Sequence, residues 1–399
     1  MPNEVEVLQK SQDLQFIQSD LFGRVKTSLA RPQFTYQNEY NKGDVQWAEK
    51  LTATGTATHD ATDATVNLTV AADGDKVIRQ TRKYMRYFSG KTLSAIMTWY
   101  TDAIPENVVF RAGYFDGDNG VYFERTSVTE FLCMRSGGVD IKVPRAQWNK
   151  NIFLGYNFNK STIFQVSLQW LGVGNVQCIF EKNDGSLVVA HVFENVGSVE
   201  STYMRTANLP VRYEVEAIGP IDDPYTAKQI CSAVSFEDGG CGDISAYEHG
   251  VANGVTAVPV TTRRTVLAVR PKLTYNGIEN RSDARVRAVE LVAGSNDAFW
   301  ELVYNPTFTG TPTWNSVNDN STLEFSVNAT TITGGVVVRS GYVTSGGGQV
   351  RNLVGRDIST NYPLALDIDG SNPTSYAIVC TSFTGTSNIN ASMELQEIY

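Results

Sequence analysis

Charge is scarce in this chain. Only 19% of its 399 residues are Asp, Glu, Lys or Arg, below the roughly 25% usual in soluble domains. The net charge is −9, an acidic balance that argues against direct nucleic-acid binding and against adhesion to an anionic membrane. Histidine is rarer still, at His59, His191 and His249 alone. No GxSxG, HExxH, Walker A or strand-linked GxGxxG motif accompanies them, which removes the common hydrolase, zinc-protease and nucleotide-binding signatures. No apolar run reaches about 18 residues, so no segment reads as a membrane-spanning helix. No stretch has the order of a cleaved signal peptide. The five cysteines, Cys133, Cys178, Cys231, Cys241 and Cys380, have no Cys-x-x-Cys or Cys/His spacing for zinc. Only Cys231 and Cys241 are neighbours; free thiols made in a reducing cytoplasm are the favoured reading, and a bridge across their loop is the alternative. A sustained 3.6-residue apolar period is also missing, so helices are expected to be few. No cofactor is expected.

What the chain has instead is the period of two. In Ser161–Glu216, Phe164, Val166, Leu168 and Trp170 alternate with Gln165, Ser167 and Gln169, the pattern of a half-buried antiparallel strand. At Gly172 and Gly174 apolar weight moves to the other face, which suggests a bulge or corner. Val176–Phe180, a turn at Asn183–Ser186 and LVVAHVF then read as a hairpin. After Pro210, Val211, Tyr213 and Val215 alternate with Arg212, Glu214 and Glu216. Trp170 and Tyr213 are the expected packing anchors, the two glutamates a solvated face, and His191 a packed strand residue. Ala64–Ala71, Lys83–Phe88 and Ala95–Tyr100 read as strands, and Val108–Phe115 with Val121–Glu124 as a hairpin.

GPIDDP at 219–224 is the expected domain boundary, since prolines and acids there stop strand pairing. Beyond it, strands are expected at 265–270, 284–292, 300–304, 323–327, 334–342, 364–368, 376–381 and 391–398. The fold class is therefore all-β: an extended N-terminal arm (1–25), a β-sandwich domain (26–220) and a second, jelly-roll-like sandwich (225–399).

Candidate chemistry is sparse. In FDGDNG, Asp116, Asp118 and Asn119 could offer oxygens to Ca²⁺. Gly120 and Ser127 stand where an EF-hand needs an oxygen ligand and a bidentate Glu, so that loop is excluded. A hairpin tip using Asp, Asn and Gly for backbone freedom is the preferred reading, and the same holds for AADGD at 71–75. Glu214 and Glu216 share a strand face, as a glycosidase pair must share a cleft, but any solvated face gives the same spacing. Trp300 and Trp314 are candidate glycan-stacking residues, with core or interface packing as the plainer reading.

Five strings occur together in order: QSDLFGR (18–24), RQTR (79–82), FRAGYFDGDNGVYFE (110–124), LQWLGVG (168–174) and YMRTANLPVRYEV (203–215). As a set they resemble a family of structural proteins widespread in tailed bacteriophages and prophages. The match covers roughly residues 18–216. The resemblance implies a non-enzymatic virion component made in the host bacterial cytoplasm, a head- or tail-attached fibre, spike or decoration protein. It implies a symmetric homo-oligomer, expected to be a trimer, whose partners are itself and other virion proteins; a second reading makes residues 225–399, which the resemblance does not cover, a module that binds host surface glycan or another receptor. The arm would anchor the protein, and Arg79, Arg82, Arg111 and Arg212 would tie carbonyls or acids in place through the guanidinium fork. A polysaccharide-degrading enzyme is the remaining alternative.

Overall fold

A computed structural model describes residues 30–237, 246–328, 331–346, 350–355, 358 and 361–399. The expected arm (1–25) and Cys241 lie outside the described residues. The described chain is nearly all β and divides into two compact units, one from residues 30–42, 50–79 and 85–237 and the other from residues 43–49, 80–84 and the described residues from 246 onward.

The described strands through residue 237, in chain order, are β1 (Ala30–Gln37), β2 (Trp47–Thr52), β3 (Thr56–Asp60), β4 (Thr65–Val70), β5 (Lys76–Thr81), β6 (Leu93–Tyr100), β7 (Val108–Phe115) and β8 (Gly120–Arg125), of which β2 and β5 each have residues in both units and the others lie in the first. They continue with β9 (Glu130–Ser136), β10 (Val139–Pro144), β11 (Ser161–Leu168), β12 (Val176–Glu181), β13 (Leu187–Phe193), β14 (Val211–Ala217) and β15 (Tyr225–Glu237). One sheet has the order β13-β12-β11-β6-β15-β4-β3, with β1 also paired to β15; the other runs β10-β9-β8-β7-β14-β5-β2. The pairings along β13-β12-β11-β6-β15-β4-β3 and β10-β9-β8-β7-β14 are antiparallel; alternation is plain in β6, whereas β8 and most of β14 are buried on both faces. In β6, Leu93, Ala95, Met97 and Trp99 are buried while Ser94, Ile96, Thr98 and Tyr100 are half-buried. The buried rows meet in an aromatic core. Trp99 stacks on Phe123 with centroids 5.5 Å apart, Phe164 lies 4.9 Å from Phe180, and Trp148 lies parallel to Phe180 at 5.7 Å. Such rings are among the largest contributors to core stability.

The expected boundary at 219–224 is corrected. β15 begins at Tyr225 and pairs with β4, β6 and β1 inside the first unit's sheet. A bulge between Gln229 and Cys231 breaks its period of two, and the Asn38 amide donates to the carbonyls of Gln229 (3.3 Å) and Ile230 (2.8 Å) there. Lys83–Phe88 is not a strand; its one β-bridge among the described residues is Met85 to Leu209, and side chains of Gln33 and Asn208 accept from the Arg86 and Tyr87 N–H groups.

The AADGD segment is a turn between β4 and β5. The fully buried Asp75 carboxylate accepts from the Ala71 N–H (2.7 Å), the Ala72 N–H (2.9 Å), the Thr54 N–H (2.7 Å) and the Thr54 hydroxyl (2.7 Å). Burial alone would raise its pKa; these hydrogen bonds outweigh it and hold the group at about 2, against an ordinary 3.8. Asp75→Ala leaves buried donors unmet and should cost about 2–3 kcal/mol in a urea titration. Added calcium should leave the wild-type midpoint unchanged, and a rise would restore the metal reading.

The second unit is also a pair of sheets. One runs Tyr247–Ala252, Ser387–Ile398, Asp283–Ala293, Val350–Leu353, with Val258–Val260 also paired to Ser387–Ile398. The other runs Asn315–Ser316, Leu323–Ser326, Arg264–Pro271, Tyr376–Ser382, Ala298–Tyr304, Val336–Val343. Val266, Leu291, Trp300, Ile378 and Leu395 are among the side chains of its core. The expected strand at 364–368 is only two isolated bridges, Leu364 to Ala284 and Leu366 to Pro373; prolines at 363 and 373 limit its pairing.

Candidate functional site

FRAGYFDGDNGVYFE and the NLPVRYEV end of YMRTANLPVRYEV lie on β7, β8 and β14 of the seven-stranded sheet, whereas LQWLGVG begins at the end of β11 in the other sheet and QSDLFGR lies outside the described residues. In β14, Tyr213 and Val215 point into the core, which leaves Arg212, Glu214 and Glu216 on the other face. Register sets Arg111 of β7 opposite both Glu214 of β14 and Glu124 of β8. The result is a lattice of charges across the sheet. Arg111 donates from Nε to Glu124 (2.7 Å) and from Nη1 to Glu214 (3.2 Å) and Glu216 (2.7 Å). Lys142 of β10 reaches over β9 to Glu124 at 2.7 and 2.9 Å. The Arg212 Nε donates to Glu214 at 2.6 Å, and Lys76 of β5 lies 3.2 Å from Glu216 and 3.8 Å from Glu214.

This corrects the solvated-face expectation, because Glu214 is only 2% exposed. Burial by itself would raise its pKa, but the charges of Arg212, Lys76 and Arg111 hold it at about 2. Glu216 is lowered too, against the pull of burial, by Arg111 and Lys76. A glycosidase acid must carry its proton near working pH, and these carboxyls are held ionised. The geometry of Glu124, Glu214 and Glu216 suits them to bind strands together.

Beside the charges lies an apolar group, Phe115, Tyr122 and Cys133, fully buried with Phe131 packed alongside. The Arg212 and Arg135 guanidinium groups sit over the Phe115 ring at 5.4 and 5.7 Å, and Arg135 over Tyr122 at 5.1 Å, a cation–π arrangement. Arg135 is fixed by Asp140 at 2.7 and 3.1 Å. Burial pushes the Tyr122 hydroxyl and the Cys133 thiol upward, so neither is an activated nucleophile.

The other candidates from the sequence are dispersed. Asp116 uses Oδ1 to accept from the N–H groups of Asp118 and Asn119, both 2.8 Å, closing the β7–β8 hairpin. The Asn119 Oδ1 accepts from the Arg205 N–H at 3.2 Å. That is turn architecture. Tyr213 is fully buried and its hydroxyl lies 2.9 Å from the Ser232 hydroxyl, as an anchor should. Trp170 is not such an anchor: it lies past the end of β11, half-buried, with its edge against Tyr87 at 6.0 Å. Trp300 is 1% exposed and belongs to the second core, so no sugar can stack on it. Trp314 is half-buried with the Arg270 guanidinium 4.1 Å over its ring. His191 is a packed strand residue whose Nδ1 accepts from the Asn149 N–H at 3.2 Å, and burial lowers its pKa. Cys133, Cys178, Cys231 and Cys380 are free thiols.

Sequence reasoning missed Lys76, Glu124 and Lys142 as partners in the lattice. The available signal was Arg111 and Glu124 on opposite arms of one hairpin, where register pairs them.

No family model and no curated protein sequence matches the chain. Among solved structures, lectin I-B4 from Griffonia simplicifolia aligns over 53% of this chain and 100% of its own, at 13% identity and a TM-score of 0.31. Endo-1,3-beta-glucanase from Streptomyces sioyaensis aligns over 52% of this chain and 97% of its own, at 7% identity and 0.37. A protein of unknown function from Shewanella oneidensis MR-1 aligns over 61% and 98%, at 6% identity and 0.38. At such TM-scores the resemblance carries no argument about function, and the chain is described by its own geometry as an all-β protein of paired antiparallel sheets.

Proposed function

We infer that this chain is a non-enzymatic structural component of a tailed-bacteriophage virion, attached to head or tail as a fibre, spike or decoration protein and assembled as a homotrimer. One observation supports this most. The strings FRAGYFDGDNGVYFE and NLPVRYEV lie on the adjacent strands β7, β8 and β14, and their charged residues are engaged with one another. What the resemblance shares is thus a device for holding a sheet in register.

Mass spectrometry of gradient-purified particles from a lysate carrying the gene tests the assignment. Peptides of this chain should co-migrate with the major capsid protein at constant ratio, and their absence from the particle band overturns the reading. Light scattering should give three times the 43.8 kDa chain mass. A receptor-binding role for the second unit is the alternative reading, and exposed aromatic side chains there favour it.

A further inference from the structure

We propose that Asn276, at the tip of a small two-stranded ribbon in the second unit, is a site of self-modification. The Gly277 amide nitrogen attacks the Asn276 side chain, ammonia leaves, and the chain keeps aspartate or isoaspartate at that position. The proposal is independent of whether the chain is part of a virion.

Asparagine followed by glycine is the dipeptide most open to this chemistry, because glycine has no Cβ to shield its nitrogen and its backbone bends freely. The chain has three such dipeptides, at 119–120, 253–254 and 276–277, and the fold separates them. Asn119 is 2% exposed, its Oδ1 accepts from the Arg205 N–H at 3.2 Å, and Gly120 is paired with Phe115 inside the seven-stranded sheet. Asn253 is half-buried and its amide is held at both ends: Nδ2 donates to the Ile389 carbonyl at 3.0 Å, and Oδ1 accepts from the Ala391 N–H at 2.9 Å. Asn276 and Gly277 are both exposed, and the Asn276 amide has no hydrogen-bond partner among the described residues. Nothing lies within 4 Å of where a Cβ on Gly277 would stand.

Local structure makes the tip easy to open. The ribbon pairs Thr274 with Glu279 and Tyr275 with Ile278. Asn276 and Gly277 form its turn, with φ of 50° and 76°, both positive as a two-residue primed turn requires. Attack needs the Gly277 nitrogen to swing onto the Asn276 Cγ, so the turn has to open first. Two residue pairs oppose that opening, and Thr274, Ile278 and Glu279 are exposed. The Tyr275 hydroxyl adds a contact to the Asp319 carbonyl at 3.4 Å, beyond the usual hydrogen-bond length. The base of the ribbon is firmer. There the Asn280 N–H donates to the Leu273 carbonyl at 3.0 Å, and its Nδ2 to the carbonyls of Lys272 (2.9 Å) and Thr322 (2.8 Å). Segments with few buried contacts open at far lower free energy than the whole domain, so the tip opens while the core stays folded.

Water is the only co-reactant. A solvent base takes the Gly277 N–H proton, and the nitrogen lone pair forms a bond to the Asn276 Cγ. The bond from Cγ to the side-chain nitrogen then breaks, and that nitrogen leaves as ammonia with a proton from solvent. The cyclic imide takes up one water. Opening at the former side-chain carbonyl gives aspartate. Opening at the main-chain carbonyl gives isoaspartate, in which the main chain runs through the Asn276 Cβ. The net change is one water consumed and one ammonia released. Either product adds a negative charge to a chain already at −9. Isoaspartate also inserts a methylene into the turn, which a two-residue primed turn cannot take up, so the ribbon loses its pairing.

The test is a time course of the full folded chain at mildly alkaline pH, read by tryptic peptide mapping. The peptide Leu273–Arg281 should gain the mass difference between a hydroxyl and an amino group at Asn276, and should split into two species of equal mass. Conversion at Asn276 should run roughly tenfold or more faster than at Asn253 and Asn119, because the tip opens more readily than either sheet. In guanidinium chloride the three sites should convert at similar rates, since the dipeptide is the same. The incubated chain should accept methyl groups from an isoaspartyl methyltransferase, and Asn276→Ala should lose that signal. An unconverted Asn276 overturns the proposal, as do equal rates at the three sites in the folded chain. A rate order unchanged by guanidinium also overturns it, since the fold would then not be selecting the site, and so does full methyl acceptance by Asn276→Ala. Failure here leaves the particle assignment standing, because mass spectrometry of particles reads that separately.

Discussion

Glu214→Ala is expected to lower the melting temperature of the first unit by about 6–20 °C at neutral pH. The reason is the asymmetry of buried ion pairs. Removing one partner from such a network typically costs about 3–5 kcal/mol, because the charges left behind stay desolvated. Here the truncation takes a carboxylate from Arg212, Arg111 and Lys76 together. The same side chain makes stability depend on acid. Its folded pKa of about 2 lies below the ordinary 4.5, so the unfolded chain binds the proton more readily. The contribution, on the order of 3 kcal/mol, is fully present above pH 4.5 and is lost as pH falls through 2. Asp75 adds to the loss in the same direction. Glu214→Gln should therefore melt below wild type at pH 7 and approach it at pH 2.5. Thermal melts of the three proteins at pH 7, 4 and 2.5 give the comparison. Identical melting of Glu214→Ala and wild type at pH 7 would remove the lattice as a source of stability, and with it the main support for reading the shared strings as structural.

Gly174→Ala should be more damaging still, with a loss above about 4 kcal/mol and little soluble protein. A Cβ at Gly174 would lie 1.7 Å from the Gln169 carbonyl oxygen and 2.9 Å from the Trp170 carbonyl oxygen. Both contacts are to backbone, so no rotamer change relieves them. The turn cannot shift cheaply either. The Gly174 N–H donates to the Trp170 carbonyl at 2.6 Å, the Tyr203 N–H to the Gly172 carbonyl at 3.0 Å, and the Asn195 amide to the Gly174 carbonyl at 3.0 Å. Gly185→Ala is the control. It sits at a hairpin tip with φ of 80° and nothing within 4 Å of the added carbon, so it carries only the left-handed backbone penalty of about 1–2 kcal/mol. Soluble yield and urea midpoints of the two variants separate steric collision from backbone strain. Equal behaviour of the two would mean that the 170–174 corner yields, contrary to its geometry.

Much of this architecture is visible in the period of two. Phe164, Val166 and Leu168 alternate in the sequence and are buried as that pattern requires, and the hairpin around Asp116–Asn119 follows from its turn residues. The failures have physical causes. β15 was hidden because its bulge at Ile230 shifts the alternation and because prolines precede it. Alternation placed Glu214 and Glu216 on one face correctly, but alternation says nothing about what lies above a face. Apart from Arg212 on their own strand, their cations come from Lys76 and Arg111 on neighbouring strands, which local patterns cannot connect to them. Trp300 shares its face with Ala298 and Leu302, and all three are buried, the core packing that is the plainer reading of its sequence.

The position of β15 has a consequence for biosynthesis. It lies between β6 and β4 although it is the last strand of its unit to be made. Until residue 237 has left the ribosome, the eight-stranded sheet is two fragments, β13-β12-β11-β6 and β4-β3, with β1 holding no partner in it. The nascent chain thus carries the unpaired edges of β6 and β4 until β15 is made, edges of the kind that recruit other chains. The eight-stranded sheet is complete only when its final strand takes its place between β6 and β4.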